Sequence, residues 1–265
     1  MSEQSPQPDR KTRKPRLGMV LSNLLIVVGI ILFLSIGAFY AYASYKEDAL
    51  SKRIAAQNEQ RQAQETAAAA SATASPQSAF IAPQEPLATS PTTTPTPTPA
   101  LPQPPATRIV IPKISVDAKI VEVASHQQEI DGEQWLVWDV ASWAVGHHKG
   151  TANPGEPGNI VLTGHDDIDG QVFRYLENLQ PGDQITLYAG DTKHEYVVDF
   201  LALVKEKDAP LEERKKNAEY MGPRSEETVT LISCWPFGID THRIIVVAKP
   251  ANSPHAVPST TPAPS

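Results

Sequence analysis

The chain contains a single cysteine, Cys234, and it follows the alternating run Thr228-Val229-Thr230-Leu231-Ile232-Ser233. Such a run predicts a strand, which puts the thiol at a strand end, where Trp235-Pro236-Phe237-Gly238 breaks the ladder. A lone thiol forms no intramolecular disulfide and is either incidental or reactive. As a nucleophile it needs a neighbouring base or cation to hold it as thiolate. Two residues qualify. His165 follows the apolar segment Asn159–Thr163 after one glycine, and Arg243 opens the strand that comes after Cys234. A guanidinium offers paired donors to a developing oxyanion or a peptide carbonyl. It is equally a strand-edge charge, and periodicity alone does not separate the two. A reactive Cys234 is expected to alkylate faster than a free thiol.

The remaining metal-type residues are poorly arranged. His147-His148 is an adjacent pair whose rings point to opposite sides if the segment is a strand. It lacks ligands at zinc spacing. Asp166, Asp167 and Asp169 precede Gly170, but the spacing is wrong for an EF-hand loop, so a solvated acidic turn is expected. No metal, no cofactor and no calcium dependence are expected.

The elements that must position these residues occupy about half the chain. Residues 1–16 carry five Lys/Arg against two acids and form a basic N-terminus. Residues 17–43 hold no charge and at about 1.5 Å per residue exceed a hydrocarbon core of about 30 Å. A transmembrane helix is expected there, with a cleavable signal ending at Ala41-Tyr42-Ala43 as the alternative. The positive-inside rule keeps the N-terminus cytoplasmic and puts the rest outside the cell membrane. Residues 44–74, rich in Ala and Gln, read as a helical stalk. Residues 75–106 contain 10 of the 25 prolines and read as a disordered linker, a spacer that carries a domain off the membrane. Residues 251–265 form a similar tail with no second hydrophobic stretch.

The folding part is 107–250, large enough for one core. It holds 14 Lys/Arg against 23 Asp/Glu, which argues against a nucleic-acid partner. Strands are expected at Arg108–Ile111, Ala118–Val123, Gln134–Trp138, Asn159–Thr163, Gln184–Tyr188, Glu195–Val204, Thr228–Ser233 and Arg243–Ala248. Eight short strands suggest a closed barrel or a sandwich, mainly β. Short helices are expected at Val172–Leu179 and Pro210–Tyr220.

The run Thr230-Leu231-Ile232-Ser233-Cys234, with Arg243 nine residues on, resembles the cysteine and arginine signature of sortases. Leu162-Thr163-Gly164-His165 resembles their histidine segment, Arg108–Ile114 their first strand, and Gly150–Asn159 the loop into the histidine strand. The resemblance covers 107–250 and runs closest to single-pass members of the D or E type. It implies a closed eight-stranded β-barrel and a cysteine transpeptidase. On that basis Cys234 would attack a Leu-Pro-x-Thr-Gly-like sorting motif and form a thioacyl enzyme. His165 would move protons, and Arg243 would support the oxyanion. Thr163, Ser233 and Trp235 follow as candidate substrate contacts, and substrate choice is expected to lie in Leu203–Glu227. Implied partners are sorting-motif surface proteins, an amine acceptor of the cell wall or a pilin lysine, and the lipid bilayer through 17–43. The alternatives are a cysteine endopeptidase that only hydrolyses, or a non-catalytic binding domain.

Overall fold

The computed structural model describes residues 17–73, 103–130 and 132–253. The basic N-terminus, nearly all of the Pro-rich linker and most of the tail lie outside the described residues. Helix α1 spans Leu17–Thr73 as one element. No Gly or Pro occurs between Ala38 and Ala74, so nothing in the sequence stops the helix at the end of its apolar run. The chain divides into two compact units at Ala49/Leu50. In the first, the large apolar side chains from Leu21 to Tyr45 are mostly exposed. The candidate span Leu21–Gln64 reaches a mean hydropathy of 2.7, long and apolar enough to cross a bilayer.

The second unit begins inside α1. Leu50 and Ile54 are buried in the same core cluster as the strands. Asn58 Nδ2 donates to the Leu201 carbonyl at 2.9 Å, and Arg53 donates to the Glu177 carbonyl. Arg61 pairs with Asp199 at 2.7 Å, and Asp199 also meets Lys249 Nζ at 3.0 Å. The stalk expected over 44–74 is therefore not a free rod. The linker joins two parts of one packed unit, so its contour length does not set how far the barrel stands from this helix. Leu50→Ala and Ile54→Ala should each cost about 2 kcal/mol, because each leaves a void in a buried contact. Thermal unfolding of the full chain checks this, with an exposed neighbour such as Glu59→Ala expected to change little.

The strands are β1 (Arg108–Ile111), β2 (Val116–Val123), β3 (Ser125–Ile130), β4 (Glu133–Trp138) and β5 (Val145–His148). They continue as β6 (Asn159–Thr163), β7 (Gln184–Ala189), β8 (Thr192–Lys205), β9 (Thr228–Trp235) and β10 (His242–Pro250). Eight of them close a barrel in the order β1-β2-β5-β6-β9-β10-β8-β7, and β7 pairs back onto β1. The pairs β2–β5 and β6–β9 are parallel; the other barrel pairs are antiparallel.

The expected strand count is met, but by a different set. The segment expected at Gln134–Trp138 is β4, which pairs with β3 in a separate two-stranded hairpin. The eighth barrel strand is β5, whose Val-Gly-His-His sequence carries little β-branched signal. Of the two expected short helices, Pro210–Tyr220 becomes α2 (Leu211–Ala218) followed by a 3-10 turn. Val172–Leu179 keeps only a 3-10 turn at Leu176–Asn178.

Ile109, Ile111, Leu162, Leu187 and Leu231 fill the barrel interior, with Phe173 and Leu179 from the β6–β7 connection. Strands β6, β9 and β10 are also covered on their outer face. Val161, Ile232, Ile245 and Val247 form a second cluster there, under Tyr220 and Met221. Burial on both faces explains why these strands read as near-continuous apolar runs.

Candidate active site

Three adjacent strands bring the chemistry to one level. β6 runs parallel to β9 with Thr163 opposite Ile232, and β10 runs antiparallel with Arg243 opposite Cys234. The ladder extends one residue past β6, since Gly164 N–H donates to the Ile232 carbonyl at 3.2 Å. His165 follows Gly164 at this exit, half-buried and near enough to Asp240 to lower its carboxyl against the effect of burial. Side chains alternate along a strand, so Cys234 shares the outer face with Ile232, and Arg243 with Ile245. Gly164 is required for this exit: a Cβ there would meet Val172 Cγ2 at 2.7 Å and Phe173 Cδ2 at 2.8 Å.

A groove of about 380 Å³ opens on that outer face. Its floor includes Thr163, Ile232, Ile245 and the Arg243 side chain, which also donates to the His242 carbonyl at 3.2 Å. One wall is β4 and the other is α2. The walls are tied together by Arg214 over the Trp135 ring at 5.1 Å and by Lys215–Glu133 at 3.3 Å. Trp138 stacks on His148 at 4.2 Å, closing the groove beneath the hairpin. The segment that carries α2 is anchored by Asn159, whose Nδ2 donates to the carbonyls of Tyr220 and Gly222.

Not every expected contact residue faces this groove. Thr163 does, with Oγ1 3.3 Å from His148 Nε2. Ser233 is 3 % exposed and turned the other way, its hydroxyl donating to the Gly164 carbonyl at 2.7 Å. It locks the histidine exit instead of touching a ligand. Trp235 belongs to the interior cluster and packs edge-on against His242, so it too is closed to a ligand. His147 and His148 are both buried and bond separately, to the Ala152 carbonyl and to Thr163. They gather no metal cluster among the described residues.

The acidic turn is not simply solvated. Asp166 is 3 % exposed, and its carboxylate, that of Asp240 and Cys234 Sγ lie within 4.8 Å of one another. Asp240 comes from the β9–β10 turn. Its place was not visible in sequence, although it lies between Cys234 and Arg243. Burial pushes the Cys234 thiol up to about 11; Arg243 opposes this, while Asp240, Asp166 and Asp167 add to it. Burial likewise raises Asp166 to about 7, with Asp240 and Asp167 adding to the shift.

With the thiol pushed up in this way, alkylation slower than that of a free thiol is expected, in place of the fast alkylation anticipated from sequence. The rate should climb about tenfold per pH unit from 7 to 10, following the thiolate fraction. Asp166→Asn removes a carboxylate that disfavours thiolate, so it should speed alkylation several-fold at pH 8, read with iodoacetamide. The sign for stability follows too. A carboxyl raised from 3.8 to about 7 contributes stability fully present below 3.8 and lost as pH rises through 7. The asparagine variant should thus gain on the parent above pH 7.

The closed eight-stranded barrel fits a sortase-type fold, and the comparisons with known proteins support that class. The family model described as the sortase domain matches residues 109–251, and the chain belongs to the sortase family. Two curated relatives carry the similarity further. Sortase SrtE1 of Streptomyces coelicolor is 29% identical over 144 residues, covering 52% of this chain and 38% of that protein. Sortase D of Bacillus subtilis is 29% identical over 142 residues, covering 52% of this chain and 60% of that protein. The alignments thus span less than two thirds of either relative. Among solved structures, sortase C-1 of Actinomyces oris is 27% identical with a TM-score of 0.41, covering 54% of this chain and 71% of that one.

Proposed function

We propose that this protein is a membrane-anchored cysteine transpeptidase that cleaves a sorting motif of the Leu-Pro-x-Thr-Gly type and transfers the acyl part to an amine. Membership of the sortase family supports the transpeptidase class. The observation that carries this reading is the strand register that sets Cys234 opposite Arg243, with His165 two residues past Thr163 at the exit of the adjacent strand β6.

In this reading the peptide lies in the groove with its scissile carbonyl at Cys234 Sγ. The thiol loses its proton to His165 and attacks the carbonyl. Arg243 donates to the oxyanion, which the fixed guanidinium fork stabilises without reorganisation. Collapse expels the C-terminal fragment as an amine that takes its proton from the imidazolium, leaving a thioester. An incoming amine then gives up a proton to His165 and displaces Sγ, so the enzyme returns unchanged. The acceptor is an amine of a cell-wall precursor or of a pilin lysine. Residues 17–43 hold the enzyme in the cell membrane, with the N-terminus cytoplasmic and the barrel outside.

The test is incubation of the full chain with a library of sorting-motif peptides and amine acceptors, read by mass spectrometry. Ligated product is expected for one motif class; cleavage by water alone at saturating amine would leave only the hydrolase. Substrate choice is assigned to 206–227, which supplies the α2 wall of the groove. Exchange of this segment for that of a sortase with another motif should change which peptide is cleaved. Unchanged preference in an active chimera would move recognition to the β3–β4 wall.

A further inference from the structure

Cys234, Asp166 and Asp240 have a second property besides their place at one strand end. Their ligand atoms converge: a sulfur and two carboxylate oxygens lie within 4.8 Å of one another. An acidic cluster alone would mean little, but these carboxylates are not saturated. Asp166 is 3 % exposed, and its Oδ1 is buried with no hydrogen-bond partner among the described residues. Asp240 Oδ1 is in the same condition. Two buried carboxylate oxygens without donors are costly unless something positive meets them. Arg243 acts on both carboxylates electrostatically, while its guanidinium donates to the His242 carbonyl.

We propose that Cys234, Asp166 and Asp240 form a three-ligand site for a thiophilic divalent cation, zinc above all, and that its occupation reversibly shuts off the nucleophile. The inhibitory part rests on the reading of Cys234 as nucleophile; the binding part does not. One thiolate and two carboxylates match the donor preferences of zinc, which takes sulfur at about 2.3 Å and oxygen at about 2.0–2.2 Å in tetrahedral arrangement. Three donors leave one position for water. The Oδ1 atoms of both aspartates accept no hydrogen bond among the described residues, so small rotations can turn them toward a cation. Calcium and magnesium prefer all-oxygen shells and six or more ligands, so they are poor occupants.

The step balances simply. The thiol releases its proton to solvent, a sulfur–zinc bond forms, and no redox change occurs. Bound sulfur gives charge to the cation and is crowded by it, so it attacks a carbonyl far more slowly than free thiolate, and a chelator restores it.

The experiment uses the full chain in detergent, titrated with cobalt as a spectroscopic substitute and with zinc. Cobalt should produce a near-ultraviolet thiolate charge-transfer band that is absent in Cys234→Ser, and zinc should bleach it. Zinc should also slow iodoacetamide labelling of Cys234 by tenfold or more, with full recovery on adding chelator, whereas calcium should not. Asp166→Asn and Asp240→Asn should each weaken cobalt binding at least tenfold. No band, or parent-like cobalt affinity in both asparagine variants, would overturn the site. The band reads the metal independently of catalysis, so a metal-free chain with no transfer activity would count against the transpeptidase reading and not against the site.

Discussion

Cys234→Ala is expected to abolish both peptide cleavage and amine transfer, by a factor on the order of 10⁴ or more, while the barrel stays folded. The thiol is the only sulfur nucleophile in the chain, and no serine or threonine stands at its position on the outer face. The side chain is half-buried on that face and outside the interior cluster, so trimming it removes little packing. The ladder bonds of β9 and β10 involve backbone alone and survive the change. Circular dichroism and the thermal midpoint should match the parent closely, which separates loss of activity from loss of fold. Transfer persisting in the purified variant would end the assignment.

Arg243→Lys is expected to lose about as much activity as Arg243→Ala, on the order of 100-fold in kcat/KM. Arg243 stands opposite Cys234, spends one N–H on the His242 carbonyl and extends along the groove floor. A planar fork can hold that carbonyl and still offer donors to an oxyanion; an ammonium on a flexible stem is a point charge without that geometry. Charge and geometry separate cleanly in the free enzyme. Arg243 lowers the Cys234 thiol against the effect of burial, and lysine preserves that charge. Alkylation at pH 8 should therefore change little in the lysine variant and slow in the alanine variant, whereas both lose turnover. Full turnover in Arg243→Lys would reduce the residue to a simple cation.

The barrel was legible because its strands alternate or run apolar in lengths that fit, and because Gly and Pro punctuate them. Strand β5 was hidden: Gly146, His147 and His148 are packed by their surroundings, through Trp138 and Ala152, and not by intrinsic preference. Strand β3, Ser125–Ile130, is polar and pairs only with its hairpin neighbour, so no core imposed a pattern on it. At the candidate site, Cys234 and His165 were suggested by their places at strand ends, and Arg243 was singled out from a strand-edge charge only through the sortase resemblance. Ser233 and Trp235 misled because adjacency in sequence along a strand means opposite faces. Asp166 and Asp240 were invisible for another reason. An acid beside a turn is ordinary in sequence, and only the tertiary fold brings the buried Asp166 and the half-buried Asp240 together beside the thiol. The docking of α1 from Leu50 onward was equally hidden, because two apolar residues a turn apart in an Ala-rich helix give almost no stripe.

The most direct measurement is intact-mass spectrometry of the full chain, quenched with acid during turnover of a sorting-motif peptide. The account predicts an adduct equal to the acyl fragment, mapped by proteolysis to the segment containing Cys234 and discharged into ligated product when an amine is added. Ligated product formed with no adduct at Cys234, and formed equally well by Cys234→Ala, would contradict it.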